Sequence, residues 1–140
     1  MLRYPIELIP DTEHGGFLVG FPDFPFVHGV GDTEEEALRE ALDGLESGIA
    51  FFLDEQRPVP LPSAKKRGQK TVALSALTEA KVLLFNEMLA QGVKKAELAR
   101  RLNIAPPNVE RIFRLNHQTR LETLDAAAKS LGKRLDMRLR

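Results

Sequence analysis

A chain of 140 residues, 43% apolar and 29% charged, has room for one ordinary domain or two small ones and enough apolar material for a packed core; a multi-lobed cofactor enzyme and a generally disordered chain are both excluded. With no cysteine, disulfides and thiolate metal sites are excluded too, and His14, His28 and His117 are too scattered to form a ligand set, so neither a metal nor a cofactor is expected. The net charge of zero hides a division: residues 1–62 carry three basic against thirteen acidic groups and residues 63–140 seventeen against seven, so the halves stand at −10 and +10.

Halves of opposite sign set separate long-range fields, which points to two oppositely charged partners. No run approaches the roughly 18 apolar residues of a membrane span, and the opening MLRYPIELIP lacks the basic region and cleavage site of a signal peptide. A cytoplasmic protein without membrane contact is expected.

In chain order, Leu2, Tyr4, Ile6 and Leu8 alternate with Arg3, Pro5 and Glu7, the period of a half-buried strand, and Pro5, which has no amide hydrogen, assigns it to a sheet edge or bulge. The polar stretch Asp11 to Gly16 then leads into the alternating Phe17, Val19 and Phe21, so a hairpin is expected. After the bend Phe21-Pro22-Asp23-Phe24-Pro25, a third strand around Phe26 to Val30 completes a meander. Thr33 followed by Glu36 reads as a capping box, and Leu38, Ala41, Leu42, Leu45, Ile49, Phe52 and Leu53 give the following helix one apolar stripe. Prolines 58, 60 and 62 and the trio Lys65-Lys66-Arg67 mark residues 56–70 as a stiff, then solvated, connector. Thr71 to Leu74 reads as a fourth strand returning to the sheet, which sets a domain boundary between residues 1–74 and 75–140.

Beyond it the pattern is helical: a first helix ending at Gly92, then Lys94 to Leu102, then one from Pro106 or Pro107 to about Arg114, then Leu121 to Leu131. The last residues alternate Leu135, Met137 and Leu139 with Arg134, Asp136, Arg138 and Arg140, as a terminal strand does.

The segment KAELARRLNIAPPNVERIF, residues 95–113, spaces Leu98, Leu102, Ile104, Val109, Ile112 and Phe113 for one small core between two helices, with Ala99 where they approach and Asn103 in the turn. It resembles a helix-turn-helix of the Cro/λ-repressor type, and LETLDAAAKSLGK, residues 121–133, resembles that family's next helix. The resemblance implies a recognition helix starting at Pro106-Pro107. Pro107 would offer only apolar contact, Asn108 and Arg111 would read base edges, and Lys94, Lys95, Arg114, Asn116 and Gln118 would hold the DNA backbone. Such modules act as dimers, and a lone terminal strand has no partner in an all-helical module, so Leu135, Met137 and Leu139 are assigned to pairing with a second chain, in a homodimer or tetramer.

The order strand-strand-strand-helix-strand in residues 1–74, with Tyr4-Pro5, Gly15-Gly16-Phe17, the 21–25 bend and Gly31-Asp32-Thr33-x-x-Glu36-Ala37-Leu38, resembles the HicB antitoxin family. That resemblance implies an α+β domain with a partial RNase H-like fold and no nuclease activity, followed by the all-α helix-turn-helix. It also implies a partner, the HicA toxin, a small basic ribonuclease that cleaves mRNA, and repression of the protein's own operon through double-stranded operator DNA. The exposed bend Phe21, Pro22, Asp23, Phe24 and Pro25 is assigned to the toxin, two aromatic anchors flanking a carboxylate. No residue is assigned to catalysis: Asp11, Glu13, Asp23 and Asp32 fall in loops, not at regular positions on adjacent strands where they could converge on two metal ions. The alternative is a stand-alone repressor whose first domain senses a small molecule.

Overall fold

The computed structural model describes every residue, Met1–Arg140, in two compact units. The first comprises Met1–Phe52 with Val59–Leu74, the second Leu53–Pro58 with Ser75–Arg140.

In the first unit, β1 (Arg3–Pro5) pairs antiparallel with β5 (Thr71–Ala73), and β2 (Glu7–Pro10), β3 (Phe17–Phe21) and β4 (Phe24–Gly31) form an antiparallel meander in that order. The single opening strand expected from the alternation is thus two. Tyr4, Pro5 and Ile6 are buried in succession, which the half-buried strand expected here, covered on one face only, would not show, because its neighbours face opposite ways. The chain turns at Pro5-Ile6, Ile6 donates its amide hydrogen to the Lys70 carbonyl at 3.0 Å, and each half serves a different sheet.

Helix α1 (Glu34–Asp54) starts where Thr33 accepts the Glu36 amide at 3.1 Å. The Glu36 carboxylate reaches back to the Asp32 amide at 3.1 Å, a capping box closed one residue earlier than its usual form. Three glutamates occupy the positive end of the helix dipole. The helix covers one sheet face, burying Ala37, Ala41, Leu45, Ile49 and Phe52. Its approach is set by glycine: a Cβ on Gly29 would lie 2.4 Å from the Ala41 nitrogen and 2.5 Å from the Ala37 carbonyl oxygen, and one on Gly31 would lie 2.5 Å from the Ala37 nitrogen.

Residues 59–70 are not the solvated connector their composition suggests. Val59 is buried, Tyr4 donates its hydroxyl to the Pro60 carbonyl at 2.6 Å, Ser63 binds the Asp23 carboxylate through amide and hydroxyl, and the Gln69 amide reaches the Ile6 carbonyl at 3.2 Å. The prolines hold an extended path along which this strap lies on its own unit, while Lys65, Lys66 and Arg67 stay in solvent.

The second unit is helical: α2 (Ala76–Ala90), α3 (Lys95–Leu102), α4 (Pro106–Ile112) and α5 (Leu121–Ser130). Ser75 caps α2 by accepting the Thr78 amide, and Gly92 and Gly132, at φ 68° and 71°, turn the chain out of α2 and α5. Phe85, Met88, Leu98, Val109, Ile112 and Leu124 fill the core. No strand forms over residues 133–140. Nothing in this unit offers a ladder to the tail, so within one chain the expected terminal strand has nothing to pair with.

Gly29→Ala is expected to destabilise the first unit by about 1–3 kcal/mol or more, because backbone must move to admit the methyl. Urea unfolding followed by circular dichroism checks this, and Gly20→Ala, whose Cβ would meet only the His28 ring at 3.9 Å and whose φ is likewise not positive, serves as the control for packing.

Candidate nucleic-acid and protein-binding surfaces

The joint between α3 and α4 is three residues long, Asn103 to Ala105. Asn103 takes the left-handed conformation, φ 53° and ψ 48°, and the Ile104 amide returns to the Ala99 carbonyl at 3.1 Å, closing α3 and reversing the chain at once. Ala105 caps α4 without a side chain, and Pro106 and Pro107 occupy the first turn, where amide hydrogens would have no intrahelical acceptor. Leu98 and Ala99 of α3 and Val109 and Ile112 of α4 are buried, so the outward faces of α4 and of the loop after it are fixed.

Those faces carry most of the expected side chains. Lys94, Pro107, Asn108, Arg111, Arg114, Asn116 and Gln118 are all exposed. Asn108 and Arg111, one turn apart, are joined by a 2.8 Å hydrogen bond from the guanidinium to the amide oxygen, so they present a single donor-rich unit. Lys95 differs: it is half-buried and its ammonium is paired with Glu110 at 3.0 Å, a link from α3 to α4. Beside it, Arg100 and Arg101 both bind Glu97, and their hydrogen bonds hold its carboxyl below the ordinary glutamate range.

One residue here went unread in the sequence. Lys81 of α2 is 0% exposed, and its ammonium donates to the Arg114 carbonyl at 2.6 Å and the His117 carbonyl at 2.8 Å. Burial pulls its pKa from 10.5 down to about 8. Helical spacing puts Lys81 on the stripe of Phe85 and Met88, but a lysine on an apolar stripe reads from sequence only as a stem with its head in solvent.

In the first unit the bend does not present two aromatic anchors. Phe21 is 3% exposed and Phe24 0%; Phe24 lies edge-on to Tyr4 at 5.4 Å and to Phe52 at 5.9 Å, so both rings are core. Pro22 and Pro25 are exposed, and the half-buried Asp23 is engaged by Ser63. Burial, with Asp23 adding to it, raises the Tyr4 phenol above the ordinary tyrosine range. The rings that do reach solvent are Phe26, 58% exposed, and Phe51, 47% exposed, with centroids 6.4 Å apart. They flank an apolar groove between β4 and α1 floored by Val27, Gly44 and Gly48. The register slips between Gly20 and Phe21, so Phe24 and Val27, three residues apart, are both buried while Phe26 between them is exposed.

A family model described as HicB-like antitoxin of bacterial toxin-antitoxin systems matches residues 3–83. The chain belongs to that family. It is 40% identical over 136 residues to Antitoxin HicB 2 of Photorhabdus laumondii, covering 97% of this chain and 95% of the relative. To Antitoxin HicB of Pseudomonas fluorescens it is 37% identical, with 96% and 92% covered, and to Antitoxin HicB of Escherichia coli 35% identical, with 97% and 98% covered. An antitoxin of this family is a regulatory protein, not an enzyme, and its membership implies a toxin as partner. No helix of this HicB-like chain is long and apolar enough to cross a membrane.

Between about pH 8 and 10.5 the unfolded chain keeps a proton on Lys81 that the folded unit has released, so this residue makes folding stability rise with pH across that window. Relative to Lys81→Met, the wild type should therefore gain stability between pH 7.5 and 10, measured as urea midpoints from helical circular dichroism.

Proposed function

We propose that this antitoxin blocks a HicA-type mRNA-cleaving ribonuclease with its acidic first unit and represses its own operon with its basic second unit, a Cro-like helix-turn-helix. The observation that carries this is the division of charge, −10 against +10, on a chain whose basic part presents Asn108 and Arg111 side by side on a short helix after a three-residue turn. A protein that handles RNA carries a basic face, and an acidic surface with apolar anchors can occupy it without any chemistry. Asparagine and arginine are the side chains suited to two-fold pairing with adenine and guanine, while the exposed Lys94, Arg114, Asn116 and Gln118 are on this reading the phosphate contacts. Lys95 joins them only by giving up Glu110.

On the first unit, Pro22, Asp23 and Pro25 of the bend remain contact candidates, and the exposed Phe26, next in the chain to Pro25, takes over with Phe51 the role of anchors from the buried Phe21 and Phe24. The first unit takes a partial RNase H-like fold on this reading. The tail forms its strand with a second chain, in a dimer that can assemble further into a tetramer. An antiparallel pairing with Met137 opposite itself would set Leu135 against Leu139, Asp136 against Arg138 and, at the ends, Arg134 against Arg140, giving one apolar face and a polar face with two opposite-charge pairs inside two like-charge ones. Operation in the cytoplasm follows from partners that are mRNA nuclease and operator.

Co-expression with the adjacent small toxin gene should restore growth. Phe26→Ala should weaken that rescue with stability changed by less than about 1 kcal/mol, whereas Phe24→Ala should cost about 3–5 kcal/mol in urea unfolding. Rescue undiminished by Phe26→Ala, Phe51→Ala or both would remove the groove from the toxin interface. In gel shifts against the protein's own promoter, Arg111→Ala should lose about 1–3 kcal/mol and relax discrimination at one base. Deletion of residues 134–140 should leave monomers in sedimentation and abolish the shift; a dimeric truncated chain would refute the tail pairing.

A further inference from the structure

Lys81 is the one charged side chain the second unit buries completely, and thermodynamics does not favour it there. A cation removed from water costs several kcal/mol unless its donors are well used, and a methionine of similar length fills such a space at lower cost. What lysine adds over methionine is directional donors, and the structure shows where they go. The ammonium reaches two main-chain carbonyls of the loop that follows α4: Arg114 at 2.6 Å and His117 at 2.8 Å.

That loop is already closed on itself, because the Arg114 carbonyl also accepts the His117 amide at 3.1 Å and the Arg114 amide reaches the Arg111 carbonyl at 3.2 Å. Lys81 is therefore not needed to make the turn; it ties the turn to α2. One helical turn further along α2, the Phe85 ring packs edge-on against Phe113, the residue that ends α4, with centroids 5.4 Å apart. The two grips differ in kind. Phe85 holds the helix end through apolar contact, which tolerates sliding, whereas Lys81 fixes the following loop in register and places positive charge at the negative end of α4.

The loop's side chains divide accordingly: Leu115 and His117 are half-buried, with the His117 ring against the Thr119 hydroxyl at 3.0 Å, while Arg114, Asn116 and Gln118 project into solvent. We propose that Lys81 is a positioning residue for the nucleic-acid interface: from inside the unit it holds the 114–118 loop so that Arg114, Asn116 and Gln118 meet successive DNA phosphates. It touches no DNA itself. The inference rests on the DNA-binding reading above, and phosphate contacts supply the sequence-independent part of affinity, so loosening the loop affects every duplex.

The test uses the full chain, a duplex carrying the region upstream of its own reading frame, and a random duplex of equal length, over a series of salt concentrations. Lys81→Met should remain helical, bind both duplexes roughly tenfold more weakly, and show a salt dependence shallower by about one unit of log–log slope, for the one cationic contact, Arg114, that the loop loses; the neutral Asn116 and Gln118 lower affinity without moving the slope. Lys81→Gln, which keeps two amide donors on a shorter stem, should recover part of both losses. A purely structural role would lower the melting temperature without moving the slope measured well below it, and unchanged affinity and slope in a folded Lys81→Met chain overturns the proposal. Loss of fold in both variants overturns it as well, since the residue would then hold the whole unit and not the loop. If the wild type itself ignores the upstream duplex at moderate salt, the DNA-binding reading fails first, and that outcome is distinct from a wild type that binds and a variant that binds equally well.

Discussion

Backbone-to-backbone contact between α1 and β4 governs the first unit. Near the start of α1 the sheet provides the glycines, 29 and 31, and the helix provides alanines 37 and 41; further along, the helix provides glycines 44 and 48 and the sheet provides side chains. A Cβ on Gly48 would stand 2.9 Å from a Val27 methyl and 3.5 Å from the Phe24 ring. The small residue changes sides along one interface, which keeps α1 and β4 in close contact from Ala37 to Gly48. Everything exposed on this unit follows from that fit. The helix turns Glu40 and Asp43 to solvent, and Phe26 and Phe51 flank the groove between the two elements.

The elements with strong periods were legible from residues alone. The capping box, the five-turn stripe, Asn103 in the turn and the two glycine exits each have a local cause acting on its own segment. The first strand was not, because its alternation is intact while its burial is not: Tyr4, Pro5 and Ile6 point to different neighbours only after β5 has returned from residue 71. Nor was the strap. Three prolines within five residues suggest a spacer, and only the tertiary acceptor Pro60 and donor Ser63 make it part of a fold. Of the candidate sites, exposure of the α4 face followed from the helical period, whereas the 21–25 bend depended on a strand register that no local signal announces.

Polar groups inside each unit follow one rule: buried side-chain nitrogens and oxygens all have partners. The Tyr4 hydroxyl and the Lys81 ammonium both spend their donors on carbonyls of loops that lack regular ladders. In each case a long polar side chain from a regular element reaches an irregular segment and fixes it, which shape-filling alone cannot do, since apolar contact has no direction. Irregular segments gain register this way at the cost of desolvating the donor, visible as the raised phenol and the lowered ammonium.

A net charge of zero would ordinarily leave a protein without an electrostatic preference, yet screening makes the total irrelevant here. At physiological salt the Debye length is about 8 Å, so a partner at one surface senses the groups within a few residues of it and little else. Near α1 these are Glu40, Asp43 and Asp54; near the end of α4 they are Arg111 and Arg114, and the acid closest in sequence, Glu110, is bound to Lys95. The arginines of α3 are likewise engaged by Glu97, so around the joint between α3 and α4 the positive charge not held by an acid is that of Lys94, Arg111 and Arg114. On the DNA-binding reading proposed above, the orientation of one short loop matters more than the number of basic residues in the unit, because only cationic groups held at phosphate spacing release counterions together.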